Sequence, residues 1–311
     1  MTTPFRIGTR ASPLALWQAN WVKSQLENTF PGLVVELLKI KTTGDKILNV
    51  PLSEVGGKGL FTKEIDEALL DGRVDAAVHS MKDIPFQLPH GIVFGAIPER
   101  EDARDALISN GRRLDDLPPF ARIGTASLRR QVQLRHRFPA IRITTLRGNV
   151  DTRLRKLEDG EFDGIILALA GLKRLGRESV VTQILDETLM LPAVGQGALG
   201  IACRELDGAT KERLASLDHE PTRLAVSAER GLLAALEGSC KVPIAGHARV
   251  ENGQIVLKGL VANVSGTIML TDEVTGDVRK ARELGLALGQ ELIRRGAGKI
   301  LGEIGHDGAS R

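Results

Sequence analysis

Along most of the chain, short apolar runs alternate with longer amphipathic ones. This is the pattern of buried strands alternating with surface helices in an α/β protein. Arg6-Ile-Gly-Thr9 reads as a short strand running into a helix. The helix opens at Ser12-Pro13, a capping hydroxyl followed by proline at the first helical position. The same order recurs later: Arg122-Ile-Gly-Thr125 leads into a helix that opens near Ser127. Asp71-Gly-Arg-Val-Asp-Ala-Ala-Val78 likewise resembles Asp159-Gly-Glu-Phe-Asp-Gly-Ile-Ile166. Both read as a helix stop at glycine followed by a buried strand, the first over Val74–Val78. Two matches in the same order predict two similar α/β lobes.

The first lobe carries extra length, which falls on residues 42–60. This stretch is rich in glycine and weak in periodicity, and is expected to be a lid over a cleft. Its Gly56-Gly57-Lys58-Gly59 lacks the spacing of a phosphate loop. Pro98–Asp105 is a charged connector expected to act as a hinge, and Leu191–Gly197 a return crossing between lobes. After about His219 a helix (Thr222 to Leu236), strands near Pro243–Val250 and Gln254–Val261, and a helix from about Val278 to Arg295 predict a small α+β domain.

Charge changes the picture. Between Arg122 and Lys156 stand ten basic residues and one acidic one, Asp151, although the whole chain balances at +3. Positive charge so concentrated, and mostly arginine, implies an anionic partner gripped by planar guanidinium forks. The chain has no tyrosine and only 3% aromatic residues, which argues against a base-stacking nucleic-acid surface. The N-terminal sequence lacks a signal-peptide pattern and no apolar run is long enough to span a membrane, so a cytoplasmic protein is expected. Cys203 and Cys240 form neither a disulfide framework nor metal spacing, and no metal site is expected.

Arg129 and Arg130 fall in the first turn of a helix, where the dipole is already positive. Either an anion compensates them, with Thr125 and Ser127 adding hydroxyls, or both are solvated. Arg10 stands before the matching helix of the first lobe. Arg147-Gly148-Asn149 repeats the theme, and Arg153 lies one turn further on. Arg135, Arg137, Arg142 and Arg155 read as surface charges. Lys82-Asp83 is either an ordinary surface pair or, at a strand end facing the crevice, a functional one. Cys240, in a glycine-containing turn beside Lys241, is a nucleophile or a small buried thiol, whereas Cys203 reads as buried.

These residues lie in motifs that resemble the porphobilinogen deaminases (hydroxymethylbilane synthases) over nearly the whole length: GTRASPLALWQA, VGGKGLFTKEI, AAVHSMKD, GTASLRRQ, LRGNVDTRL, ILALAGLKRLG, LPAVGQGA and ERGLLAALEGSCKVPIAG. The resemblance implies an α/β fold of three domains, the first two like the lobes of type II periplasmic binding proteins. Domain 1 would span 1–98 and 197–216, domain 2 103–191, and domain 3 220–311. It implies a transferase that condenses four porphobilinogen molecules head to tail, with loss of ammonia, giving 1-hydroxymethylbilane for haem biosynthesis. A dipyrromethane cofactor would be held as a thioether on Cys240.

By motif match, Ser80, Lys82, Asp83, Thr125, Ser127, Arg129 and Arg130 would bind that cofactor. Arg10, Ser12, Gln18, Arg147, Arg153, Arg174 and Gln196 would hold the incoming and growing rings. Asp83 would be catalytic, and Lys58 would serve the lid, where Glu54 replaces a lysine of some members. A growing polypyrrole gathers carboxylates, each needing a charged or amide partner, which accounts for an arginine belt without aromatic platforms. A monomer without nucleic-acid or membrane partners is implied. The competing reading, a two-lobed binding protein for a polycarboxylate solute, needs neither Cys240 nor Asp83.

Overall fold

The computed structural model describes residues 4–46, 59–237 and 242–307. Its first sheet grows from β1 (Phe5–Thr9), which α1 (Pro13–Thr29) connects to the parallel strand β2 (Val35–Lys39). The Ser12 side chain accepts from the Ala15 amide and caps α1, and Pro13 sits in its first turn. A single turn, α2 (Thr43–Lys46), precedes α3 (Lys63–Leu70), β3 (Ala76–Ser80) and β4 (Ile92–Ala96). Residues 97–104 then carry the chain into a second lobe. There β5 (Asp105–Ile108), β6 (Arg122–Gly124), α4 (Leu128–Arg137), β7 (Arg142–Thr144), α5 (Val150–Glu158), β8 (Gly164–Ala168), α6 (Leu169–Arg174) and β9 (Gln183–Leu185) follow. The chain returns to the first sheet as β10 (Leu199–Arg204), antiparallel between β3 and β4, and then forms α7 (Gly208–Ala215).

The two sheets, β2-β1-β3-β10-β4 and β7-β6-β8-β5-β9, have one topology, with the crossing strands β10 and β5 in the same place. The repeat extends to individual hydrogen bonds. The Arg6 amide donates to Asp75 and its guanidinium to the Gly72 carbonyl. The Arg122 amide donates to Asp163 and its guanidinium to the Gly160 carbonyl. Gly72 and Gly160 both take a φ of 75°, the left-handed helix stop that glycine adopts without a Cβ penalty.

Alternate residues of β3 feed opposite faces of its sheet. Ala76 and Val78 join the cluster of Ile7, Val22 and Leu26, and Ala77 joins Ile65 and Leu69. A strand covered on both faces reads as one apolar run. This strand lies two residues further along than Val74–Val78, so His79 and Ser80 belong to it and a 3-10 turn, Met81–Asp83, follows directly.

The C-terminal part packs α8 (Glu220–Ala235) and α9 (Ala281–Leu292) on the antiparallel sheet β11 (Ile244–Glu251), β12 (Gln254–Ala262) and β13 (Met269–Asp277), and ends in α10 (Gly298–Asp307). β13 escapes the sequence pattern because it is an edge strand, MLTDEVTGD, with no fully buried position. The final helical stretch also departs from expectation: α9 stops before Arg295, and a π-helical turn at Ile293–Ala297 leads into α10. Helices α8 and α9 approach so closely that a Cβ on Gly285 would lie 1.9 Å from the Ala228 carbonyl oxygen, so glycine is required there.

Two apolar seams hold this part against both lobes. Val226 of α8 packs on Met81, Ile84, Ile97 and Ala198, while Ala245, Leu260 and Ala262 pack on Val132 and Leu191. At their junction the fully buried Glu229 pairs with Arg100 and accepts from the amides of Gly195 and Ala248. One carboxylate therefore ties both inter-lobe crossings to the third sheet. Among the described residues no helix is long and apolar enough to cross a membrane.

Candidate functional site

The carboxyl ends of β1 and β3 meet at the cleft between the lobes, where ligands collect in α/β sheets. Arg10 follows β1, with its guanidinium 4.3 Å from the centre of the Phe61 ring. Ser12 opens α1, and Gln18, one and a half turns on, donates from Nε2 to Ser80 Oγ at 2.9 Å. These residues line one cavity together with His79 and Asp83. Asp83 itself is exposed at the end of the 3-10 turn.

The second lobe presents basic groups to Asp83. Burial lowers the Arg153 pKa to about 10; Arg130 and Arg147 add to this, and Asp83 opposes it. Its Nε donates to the Gly148 carbonyl at 2.7 Å. Gly148 has a φ of 113°, and a Cβ there would lie 2.6 Å from Thr152 Cγ2, so the turn admits no side chain. Asn149 caps α5 by accepting from the Thr152 amide. The theme read from Arg147-Gly-Asn-…-Arg153 is therefore a local construction that holds Arg153 within electrostatic reach of Arg147.

Arg129 and Arg130 are not solvated. Each is 5% exposed, and an internal carboxylate compensates them. Asp105, at the start of β5 and fully buried, accepts from Arg129 Nη1 at 2.8 Å and Arg130 Nη2 at 2.7 Å. Burial alone would raise the Asp105 pKa; the two guanidiniums outweigh it and hold the carboxyl well below its usual range. The arginines also donate to the carbonyls of Leu191 and Ile166. Arg129 Nε is buried and has no hydrogen-bond partner among the described residues. Lys82 joins the cluster: burial lowers its pKa to about 8, the charges of Arg130 and Arg129 act in the same direction, and Asp83 and Asp105 oppose them. Thr125 Oγ1 accepts from the Ser127 amide at 3.2 Å, at the open end of α4.

Two expected ring-binding residues are bonded to the crossings. Gln196 is 1% exposed and donates to the Ala103 carbonyl and to Asp105, both at the crossing. Arg174 donates to the Gly197 carbonyl at 2.7 Å, 5.9 Å from the Trp17 ring centre, and burial lowers its pKa to about 10. Of the expected surface charges, Arg137, Arg142 and Arg155 are exposed. Arg135 instead donates to the Val264 carbonyl and joins the second lobe to the C-terminal sheet. Cys203 is buried, and burial raises its thiol pKa. Cys240, Lys58 and Glu54 lie outside the described residues, as does most of the expected lid.

Sequence reasoning missed Asp105, Glu229 and His79. Asp105 closes a charged connector, and nothing in its neighbours marks it as the one acid of that run to be buried. Glu229 sits in a helix pattern, where acids normally face water.

The model "Porphobilinogen deaminase, dipyromethane cofactor binding domain" matches residues 5–212, and "Porphobilinogen deaminase, C-terminal domain" matches 223–294. A porphobilinogen deaminase of Geobacter metallireducens is 54% identical over 299 residues, covering 96% of this chain and 94% of the relative. One from Nitratidesulfovibrio vulgaris is 54% identical over 304 residues, covering 96% of each. Among solved structures, the substrate binding domain of a putative molybdenum ABC transporter from Clostridium difficile is 10% identical with a TM-score of 0.44, covering 70% of this chain and 93% of that one.

Proposed function

The chain belongs to the porphobilinogen deaminase family, a transferase that condenses four porphobilinogen molecules head to tail with loss of ammonia, and we propose that its cleft residues divide that work as follows. The dipyrromethane cofactor supplies the pyrrole terminus onto which rings are added. The donors present suit its carboxylates. Arg129, Arg130 and Lys82 outnumber the single internal acid Asp105, and Arg129 Nε is buried without a partner. An acidic ligand supplies the missing acceptor, so that no buried donor is left unmet.

Lys82, Arg129, Arg130, Thr125, Ser127 and Ser80 hold the cofactor's carboxylates, with the open amides of α4 adding to them. Arg10, Ser12, Gln18, Arg147 and Arg153 hold the incoming ring. Arg174 and Gln196 act through the crossing backbone at Gly197 and Ala103 rather than by touching rings. Asp83 receives the pyrrole N–H and stabilises the positive charge that develops on the substrate as its amine departs. A carboxylate fixed beside developing charge favours the transition state over the ground state. The observation that carries this reading is that Asp83, in the 3-10 turn after β3, lines one cavity with Arg10, Ser12, Gln18 and Ser80, within electrostatic reach of Arg153 from the opposite lobe.

The cofactor is attached as a thioether at Cys240. Domain limits of 1–98 with 197–216, 103–191 and 220–311 accord with the membership of the three sheets. The chain acts as a cytoplasmic monomer, and the burial of Arg129 and Arg130 within the basic segment speaks against a nucleic-acid partner. Intact mass of the purified chain beside Cys240→Ala tests the assignment. An excess of two linked pyrrole units, absent from the variant, is expected. A bare polypeptide mass that added porphobilinogen leaves unchanged overturns it.

A further inference from the structure

A second, smaller cavity adjoins the main cleft. Thr62 and His79 line both, so these two side chains form the partition between them. Beyond it, Asp66 supplies the remaining charged group, and Ile84, Leu88 and Ala202 supply apolar walls. Among the described residues no lysine or arginine lines this space, in contrast to the arginine-bearing cleft next door. It has room for about one water-sized molecule.

Its polar groups are all suited to accept hydrogen bonds. His79 is 7% exposed, and its ring makes no hydrogen bond to another described residue. Burial, aided by Arg10, lowers its pKa to about 4, so the ring is neutral and one nitrogen carries a lone pair. Burial raises the Asp66 pKa to about 6, against a hydrogen bond with Thr62, which still leaves the carboxylate mostly ionised at neutral pH. A carboxylate, a hydroxyl and an imidazole lone pair around a one-molecule space, with no cation among the described lining residues, match a small ion that offers N–H bonds in every direction.

The reaction of the neighbouring cleft makes such an ion. When the C–N bond of the protonated aminomethyl group breaks, nitrogen keeps the electron pair and leaves as ammonia. The new C–C bond releases a proton from the acceptor ring, and ammonia with that proton is ammonium. We propose that the Asp66 cavity is a transit site for the ammonium released at each condensation, entered past Thr62 and His79. This rests on the condensation reading above.

Thallium(I), a monovalent ion of similar size, provides the probe. Crystals of the holoenzyme soaked in thallium(I) acetate should show an anomalous peak within coordination distance of the Asp66 carboxylate, and Asp66→Asn should abolish it. No peak, or one that persists in the variant, overturns the site. In steady-state assays ammonium chloride should inhibit the wild type more than tetramethylammonium chloride at equal ionic strength. Asp66→Asn should raise the half-inhibiting ammonium concentration about tenfold or more, as expected for one charge-assisted hydrogen bond. Leu88→Phe, which narrows the same space from its apolar side, should do likewise if Asp66→Asn does not fold. Unchanged inhibition in a folded variant overturns the proposal. Failure of the condensation reading would register separately, as a wild type that releases no ammonia from porphobilinogen.

Discussion

Asp105 takes Arg130 through one carboxylate oxygen, accepting from Nε at 3.1 Å and from Nη2 at 2.7 Å. Asp105 begins the strand that crosses into the second lobe, and Arg130 lies in the first turn of α4, so the contact joins the first crossing to the start of that helix. Gln196, on the return crossing, donates to the same oxygen at 2.8 Å. The Arg129–Arg130 pair proposed to bind the cofactor and both crossings are thereby one hydrogen-bonded unit.

Replacing Asp105 by Asn leaves two buried guanidiniums without their counter-ion. A loss of about 3–5 kcal/mol in unfolding free energy is expected at pH 7, the usual effect of breaking a buried pair. The carboxyl pKa is depressed in the folded chain. Its stabilisation is therefore complete above the unfolded value, roughly 4, and is lost as pH falls through the lower folded value. Urea unfolding of wild type and Asp105→Asn should differ most near neutrality and converge in acid. Equal midpoints at pH 7 would show that the triad does not hold the lobe together.

Asp83→Asn changes an exposed side chain by one atom, so unfolding should stay within about 0.5 kcal/mol of wild type. The cofactor should remain attached by mass. Turnover should fall by about a hundredfold or more, since a positioned carboxylate is removed from beside the developing charge. Wild-type rates would refute the role given to Asp83.

Arg147→Leu should impair ring addition more than cofactor retention, because the charge of Arg147 acts on Arg153 and is not among those acting on Lys82. The observable is the ratio of bound cofactor, by mass, to steady-state turnover. Equal loss of both would move Arg147 into the cofactor site.

Glu229→Gln removes the charge that Arg100 faces while keeping an oxygen for one of the two amides. Thermal unfolding should reveal a destabilisation of about 3–5 kcal/mol, and limited proteolysis should cut first near the crossings. A variant as resistant as wild type would deny Glu229 its role as the joint.

The repeat of two lobes was legible because it rests on local rules. Arg6-Ile-Gly-Thr9 and Arg122-Ile-Gly-Thr125 each form a strand that leads into a helix, and Gly72 and Gly160 each follow a helix in the same left-handed turn. Such signals lie within a few residues of one another, so they survive in sequence. The same holds for Arg147, Gly148, Asn149 and Arg153, which build their corner within a single turn of α5. Edge strand β13 was lost because neither of its faces is fully buried, which removes the apolar period by which strands are recognised.

The sequence by itself determined the two-lobe repeat, the concentration of arginine, the family motifs and the glycines and caps that shape each strand end. Only the tertiary structure decided which charges are available to a ligand. It matched Arg129 and Arg130 to Asp105, turned Arg174 and Gln196 toward the crossings, buried Glu229 at the junction and set His79 between two cavities. The reason is physical: a helix stop or a cap depends on neighbours in the chain, whereas the partner of a buried charge is whatever group the folded chain brings within about 3 Å, often many residues away.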